Sequence, residues 1–219
     1  MSFKKNKYIV IKSAISKELS SFVTDYFLLK RQAADTLFKK NLIPPFTEEW
    51  GKWTDSQIPN TYSIYGDIVM ETLLTKVKPK MEEITNLKLI ETYAYARLYK
   101  KGDELKRHKD RPSCEISTTL NLGGDPWPIY LEPNKNVGIP KEDNDFTFES
   151  NNPGVKVDLE PGDMLIYSGC ILEHWREPFK GEMCAQVFLH YNNVDTQGEE
   201  NKFDNRPHLG LPAYCRGKK

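Results

Sequence analysis

The chain has no C-x-x-C pair. Its four cysteines, Cys114, Cys170, Cys184 and Cys215, are scattered, which argues against a zinc ribbon or a disulfide framework and leaves free thiols as the expectation. It also lacks net charge. Lysine plus arginine number 31 and aspartate plus glutamate 31, so no global field draws the protein to nucleic acid or an anionic membrane, although a local basic patch is compatible with that balance. No apolar run approaches a membrane span, and the amino terminus, MSFKKNKYIVIKS, lacks the longer apolar segment and small-residue cleavage site of a secretory signal. A soluble cytoplasmic protein with no membrane partner is expected. Internal repeats and low-complexity stretches are missing as well, which removes solenoids and arrays from consideration.

At 219 residues the chain suits one domain, or a core with an elaborated terminus. After the strand-like YIVIKS, the apolar residues Ile15, Leu19, Phe22, Val23, Tyr26 and Phe27 recur at helical spacing, with Ser13 or Ser16 available as N-cap. The segment 41–60 carries Pro44, Pro45, Pro59 and two tryptophans and reads as a loop that packs. A second helical pattern uses Ile64, Ile68, Val69, Leu73, Leu74, Val77, Met81 and Ile84, with Pro79 expected to break or kink it. From Leu87 the texture changes to short runs rich in tyrosine, threonine, valine and isoleucine, divided by glycine and proline turns. Seven such runs suit a sandwich or double-sheet jelly roll. The expected fold class is α+β, mainly β, with residues 1–90 as helical support, 91–195 as the β core and 196–219 as a polar tail that wraps loosely or is partly disordered.

The chemistry-bearing residues lie in this β half. In LKRHKD, His108 and Asp110 are two positions apart, and side chains two apart on an extended strand point the same way and can converge on a metal ion. A Y-x-x-G turn, Tyr99 to Gly102, precedes them; about sixty residues later PGDMLIY leads to a second histidine, His174, with Pro178 four residues on and another strand after it. Imidazoles and a carboxylate are metal-ligating groups, so a metal ion is the object they would share. The competitors are His190, within the apolar run VFLHY, and His208, in the tail beside Pro207; both read as structural.

From about Glu91 to Asn192 this order of features resembles the non-haem Fe(II), 2-oxoglutarate-dependent dioxygenases, and within them the prolyl 4-hydroxylase-like group. The resemblance implies a double-stranded β-helix of the jelly-roll or cupin kind, His108, Asp110 and His174 as metal ligands, and Fe(II), 2-oxoglutarate and O2 as cofactor and cosubstrates, with ascorbate as an accessory. It also implies a basic residue nine or ten positions after the second histidine to anchor the far carboxylate of 2-oxoglutarate. Here those positions hold Met183 and Cys184. A buried carboxylate without a cationic or multiply hydrogen-bonding partner is costly, so another group must compensate. The resemblance offers Tyr99, and strand direction adds Arg97 and Arg176; Gln186 is a fourth candidate. Retention of Asp110 favours hydroxylation or oxidative demethylation over halogenation.

The expected substrate is a prolyl residue in a peptide or protein. Trp127, Tyr130 and Trp175 are placed to line a peptide groove or to pack in the core, and loops from Pro133 to Pro153 to rim it. The alternatives are a nucleic-acid demethylase, since Lys100, Lys101, Lys106, Arg107, Lys109 and Arg111 crowd the approach, and a metal-binding jelly roll without catalysis. Oligomeric state is not readable from the chain.

Overall fold

The computed structural model describes residues 2–137 and 152–217; most of the expected rim, residues 138–151, lies outside the described residues. In chain order the elements are α1 (Phe3–Asn6), β1 (Tyr8–Ile11), α2 (Lys17–Lys39), β2 (Tyr62–Tyr65), α3 (Ile68–Thr85), β3 (Leu89–Lys100), β4 (Leu105–His108), β5 (Ile116–Gly124), β6 (Ile129–Leu131), β7 (Val155–Val157), β8 (Met164–Tyr167), β9 (His174–Arg176) and β10 (Met183–Asn193).

Helix starts follow side-chain caps. Ser16 Oγ accepts from the Leu19 N–H at 3.1 Å and opens α2, whereas Ser13 sits in the left-handed region and is no cap. Asp67 Oδ1 accepts from the Val69 and Met70 N–H groups at 3.0 and 3.1 Å and opens α3. That cap corrects the helical pattern at its first member: Ile64 belongs to β2, paired with Ala96 of β3. It is buried in either role, so apolar periodicity alone does not separate them. Pro79 does not end α3, which runs on to Thr85. Pro79 and Thr75, whose carbonyl loses its helical donor, both lie on the exposed side, where water can replace the missing bond.

Two antiparallel sheets form the core. The larger has the order β1-β8-β5-β10-β3-β2 and the smaller β4-β9-β6-β7. Residues 1–90 thus contribute both outer strands of the larger sheet, β1 and β2, besides the helices. Period-two alternation gives this sheet two different faces. Ala94, Ala96 and Leu98 of β3, Leu120 and Leu122 of β5, and Ala185, Val187 and Leu189 of β10 join Val23, Phe27, Leu74 and Met81 of the helices in one apolar cluster. The alternate residues, among them Arg97, Ser117, Thr119, Gln186 and His190, turn toward the smaller sheet and are also buried. Burying that much polarity is costly unless it is hydrogen-bonded or used.

The tail differs from its expected looseness. Arg206 Nη2 pairs with Glu71 at 2.6 Å, both side chains buried, and Asp204, also buried, accepts from Arg111. Its charges serve long-range pairs, which polar composition does not reveal. The four cysteines are free, Cys114 and Cys184 being buried. No described helix is long and apolar enough to cross a membrane.

Candidate metal centre and adjoining cavity

β4 and β9 are antiparallel neighbours with His108 directly opposite His174. The ring centroids are 4.2 Å apart. Each Nδ1 lies against the carbonyl two residues earlier, His108 on Lys106 at 2.7 Å and His174 on Leu172 at 3.0 Å. A carbonyl only accepts, so each Nδ1 carries the proton and each Nε2 presents a lone pair. Asp110 Oδ1 stands 3.7 Å from His108 Nε2 and 3.5 Å from His174 Nε2. Donors each about 2.0–2.2 Å from one ion lie at most about 4 Å apart, so the set fits a shared metal ion.

The other carboxylate oxygen has a different task. Asp110 Oδ2 accepts from Ser117 Oγ at 2.8 Å, and Ser117 Oγ lies 2.9 Å from His190 Nδ1. With Ser117 donating to the carboxylate, His190 Nδ1–H donates to Ser117. His190 therefore stands behind Asp110, its ring against Tyr93. Asp110, Cys114 and His190 also converge within 4.8 Å, but Ser117 bonds into that group and the Cys114 thiol is 3.0 Å from the Tyr93 hydroxyl. His208 is exposed, against Leu209 O and Phe203, and away from this cluster.

Electrostatics keep the donors in ligand form. Burial, aided by the neighbouring His174, pushes His108 down to about 4, so it is neutral at pH 7. Burial alone would raise the Asp110 carboxyl, but the His174 and His108 rings outweigh it and hold it well below the usual carboxylate range. Burial likewise pushes His190 down to about 4.

Gly169 sets the position of Asp110. Its carbonyl accepts from the Asp110 N–H at 2.9 Å. A Cβ at this position would overlap Asp110 Oδ2 and come within 2.6 Å of Cys114 O and 2.8 Å of Ser117 Oγ. Gly169→Ala is therefore expected to weaken Fe(II) binding by roughly 10–100-fold, the range for lost support of a metal ligand, as measured by metal titration. Unchanged affinity would show that the carboxylate is not held this way.

The three donors face a cavity of about 560 Å³ whose further walls include Asp55, Gln57, Tyr95, Arg97, Tyr167 and Phe188. Arg97 lies on the wall, but its charge is already matched: Nη2 pairs with Asp55 at 2.6 Å and donates to Gln57 Oε1 at 2.7 Å. Tyr99, buried, receives the Arg97 Nη1 at 3.4 Å. Arg176 is unlike Arg97. It is 1% exposed, and among the described residues no carboxylate pairs with it. Its Nη2 donates to Thr119 Oγ1 at 3.1 Å, Nη1 to the Trp127 carbonyl, and Nε has no partner. Burial lowers its pKa, and Cys184, Tyr99 and Tyr167 are its electrostatic neighbours. It is enclosed behind the cavity wall, two residues beyond His174. Gln186 accepts from Thr119 and donates to Asn121 and Cys184, completing a chain that starts at Arg176.

Several groups escape sequence reasoning. Asp55 and Gln57 come from the proline-bearing loop 41–60, where nothing marks them. Tyr95, hydrogen-bonded to Asp55, was within reach, since it shares a strand face with Arg97. Of the two readings for the aromatics, packing holds for the tryptophans, which are buried: Trp127 packs with Tyr99 and Phe179, while Tyr130 stacks on Trp175 with Arg107 over it. The basic run is largely neutralised, with Lys100 on Asp103, Lys101 on Glu182, Lys106 on Glu104, Arg107 on Glu173 and Arg111 on Asp204.

No family model matches the sequence, and no curated protein matches it. Solved structures do. EctD from S. alaskensis in its apoform superposes with a TM-score of 0.60 at 17% identity, covering 97% of this chain and 81% of that one. HygX from Streptomyces hygroscopicus, with nickel and 2-oxoglutarate bound, gives 0.59 at 16%, covering 98% and 91%. A Pseudomonas putida prolyl-4-hydroxylase gives 0.53 at 14%, covering 87% and 95%. The chain has the double-stranded β-helix fold found in non-haem Fe(II)/2-oxoglutarate oxygenases.

Proposed function

We propose that the protein is an Fe(II)- and 2-oxoglutarate-dependent dioxygenase. The observation that carries this is the facing pair His108 and His174, each presenting its Nε2 lone pair beside Asp110 Oδ1, with the Gln57 amide 3.4 Å from His108 Nε2. These three atoms would hold Fe(II), and Ser117, by donating to Asp110 Oδ2, would leave Oδ1 as the ligating oxygen. Bound iron supplies oxidation of a substrate C–H bond by O2, with 2-oxoglutarate leaving as succinate and CO2. Arg176 anchors the far carboxylate of 2-oxoglutarate in place of a basic residue at Met183 or Cys184. Its support is a buried guanidinium with no acid of its own beside Cys184 and Tyr99; an unpaired buried charge is retained at a cost, which a bound anion offsets. Tyr99, Thr119 and Gln186 orient it, and Arg97 lines the cavity with its charge committed to Asp55.

The substrate read here is a prolyl residue in a peptide or protein. The metal cavity shares Tyr93, Tyr95 and Arg111 with a second chamber of about 210 Å³, so a chain longer than the reacting group has somewhere to extend. A small polar molecule is the second reading, because the neighbours include HygX with hygromycin B bound. The pairing of the basic run disfavours nucleic acid, which needs uncompensated cations along a phosphate backbone. Free cysteines suit a cytoplasmic location.

Succinate release with Fe(II) and 2-oxoglutarate, measured against proline-rich peptides, polar natural products and methylated oligonucleotides, tests this. Peptide-stimulated succinate with a gain of one oxygen on proline is expected. Stimulation by an oligonucleotide alone would overturn the substrate class, and metal binding without 2-oxoglutarate turnover would reduce the protein to a non-catalytic jelly roll.

A further inference from the structure

We infer that the substrate peptide carries a carboxylate close to the oxidised proline, received by the chamber beside the metal cavity; this rests on the peptide reading above. The chamber holds about 210 Å³ and shares Tyr93, Tyr95 and Arg111 with the wall of the metal cavity. Three cations, Lys52, Arg111 and Arg216, lie on its wall against one carboxylate, Glu48. Behind the wall Asp204, which is buried, takes both Nη atoms of Arg111 at 2.8 and 2.9 Å and also binds Arg216 Nη2. Counting Asp204 with the wall still leaves three cations to two anions. One acid serves two guanidiniums, so a positive charge is left over.

Their geometry suits a planar anion. The Arg111 guanidinium lies 4.7 Å from the Tyr93 ring centre, and the Arg216 guanidinium 4.8 Å from that of Tyr65. Stacking fixes each fork in a plane; Asp204 engages two of the five N–H donors of Arg111 and one of Arg216, and the Tyr65 hydroxyl takes another from Arg216. The remaining donors match a carboxylate, whose two oxygens pair with such a fork. Arg97 differs, because among the described residues Asp55 serves no second guanidinium, and Gln57 and Tyr99 take further Arg97 donors. Tyr65, Tyr93 and Tyr95 supply flat walls for the adjoining aliphatic part. The acid is either an aspartate or glutamate side chain beside the proline or the peptide's own terminal carboxylate.

The test is a proline-centred degenerate peptide library incubated with the full-length iron-loaded protein and 2-oxoglutarate, the hydroxylated products being sequenced by mass spectrometry. One arm compares aspartate and glutamate with asparagine and glutamine at the flanking positions. The other compares free and amidated C-termini. The acidic member of one arm should be favoured by roughly tenfold or more, the scale of a charge-assisted contact. Arg216→Gln should bring that ratio close to one, and Arg216→Lys should restore part of it. Lys52→Gln, which leaves the Asp204 pairs intact, should lower it too. A wild-type ratio near one in both arms, or a ratio that Arg216→Gln and Lys52→Gln leave unchanged, overturns the inference. Consumption of 2-oxoglutarate with no peptide hydroxylated removes the peptide reading and this inference together, while leaving the dioxygenase reading standing.

Discussion

His174→Ala should lose Fe(II) affinity by more than the roughly 10–100-fold that follows loss of outer support for a ligand, and should lose turnover with it. The side chain is buried, its Nε2 faces Asp110 Oδ1 at 3.5 Å, and its Nδ1 is satisfied by Leu172 O at 3.0 Å. Alanine removes one of three donors and leaves a void between β4 and β9 that offers no replacement. His108→Ala and Asp110→Ala should behave alike, because the three ligand atoms lie within 4.8 Å of one another. His190→Ala supplies the contrast. Its ring reaches Asp110 only through Ser117, so it should keep measurable iron, with a loss no greater than that for outer support. Metal titration of the four variants decides between them; iron retained by His174→Ala and lost by His190→Ala would refute the proposed triad.

Arg176→Met should raise the concentration of 2-oxoglutarate needed for half-saturation by roughly 10–100-fold, the equivalent of one or two charge-assisted hydrogen bonds. The requirement for peptide should move far less. Stability should not fall as it does when a buried ion pair is broken. Removing one partner of a buried pair costs about 3–5 kcal/mol because a charge is stranded, but no described carboxylate pairs with Arg176, so Arg176→Met strands none. The thermal midpoint without 2-oxoglutarate should hold, while the stabilisation that added 2-oxoglutarate gives to the wild type should shrink. The parallel Arg97→Met change strands Asp55 and should lower that midpoint. If Arg176→Met keeps wild-type affinity for the cosubstrate, the anchor is a different group.

What the sequence revealed follows from period-two alternation and from residue types with few uses. Strand alternation suggests that His108 and Asp110 share a side, although β4 ends at His108 and Asp110 lies just beyond it, its N–H on Gly169 O; His174 is legible as a histidine that follows the strand MLIY. The seven β runs expected from Leu87 onward correspond to β3 and β5 through β10. Ile64 was misassigned because a buried isoleucine satisfies either period, and only the Asp67 cap decides where α3 begins. Ser117, Gly169 and Asp55 were invisible for a different reason. Each acts through a contact made in three dimensions: Ser117 across the loop to Asp110, Gly169 by having no Cβ, and Asp55 by closing on Arg97 forty-two positions away. The tail misled through composition, since Asp204 and Arg206 look solvated until their partners Arg111 and Glu71 are placed.

The central claim is that one iron, held by this triad, binds 2-oxoglutarate directly. Anaerobic titration of the Fe(II)-loaded wild-type protein with 2-oxoglutarate, followed by visible absorption and then by admission of oxygen, tests it most directly. A charge-transfer absorption should appear and saturate with 2-oxoglutarate, require His108, Asp110 and His174, and vanish on oxygen with release of succinate. Stoichiometric iron binding with no absorption and no succinate would contradict the account.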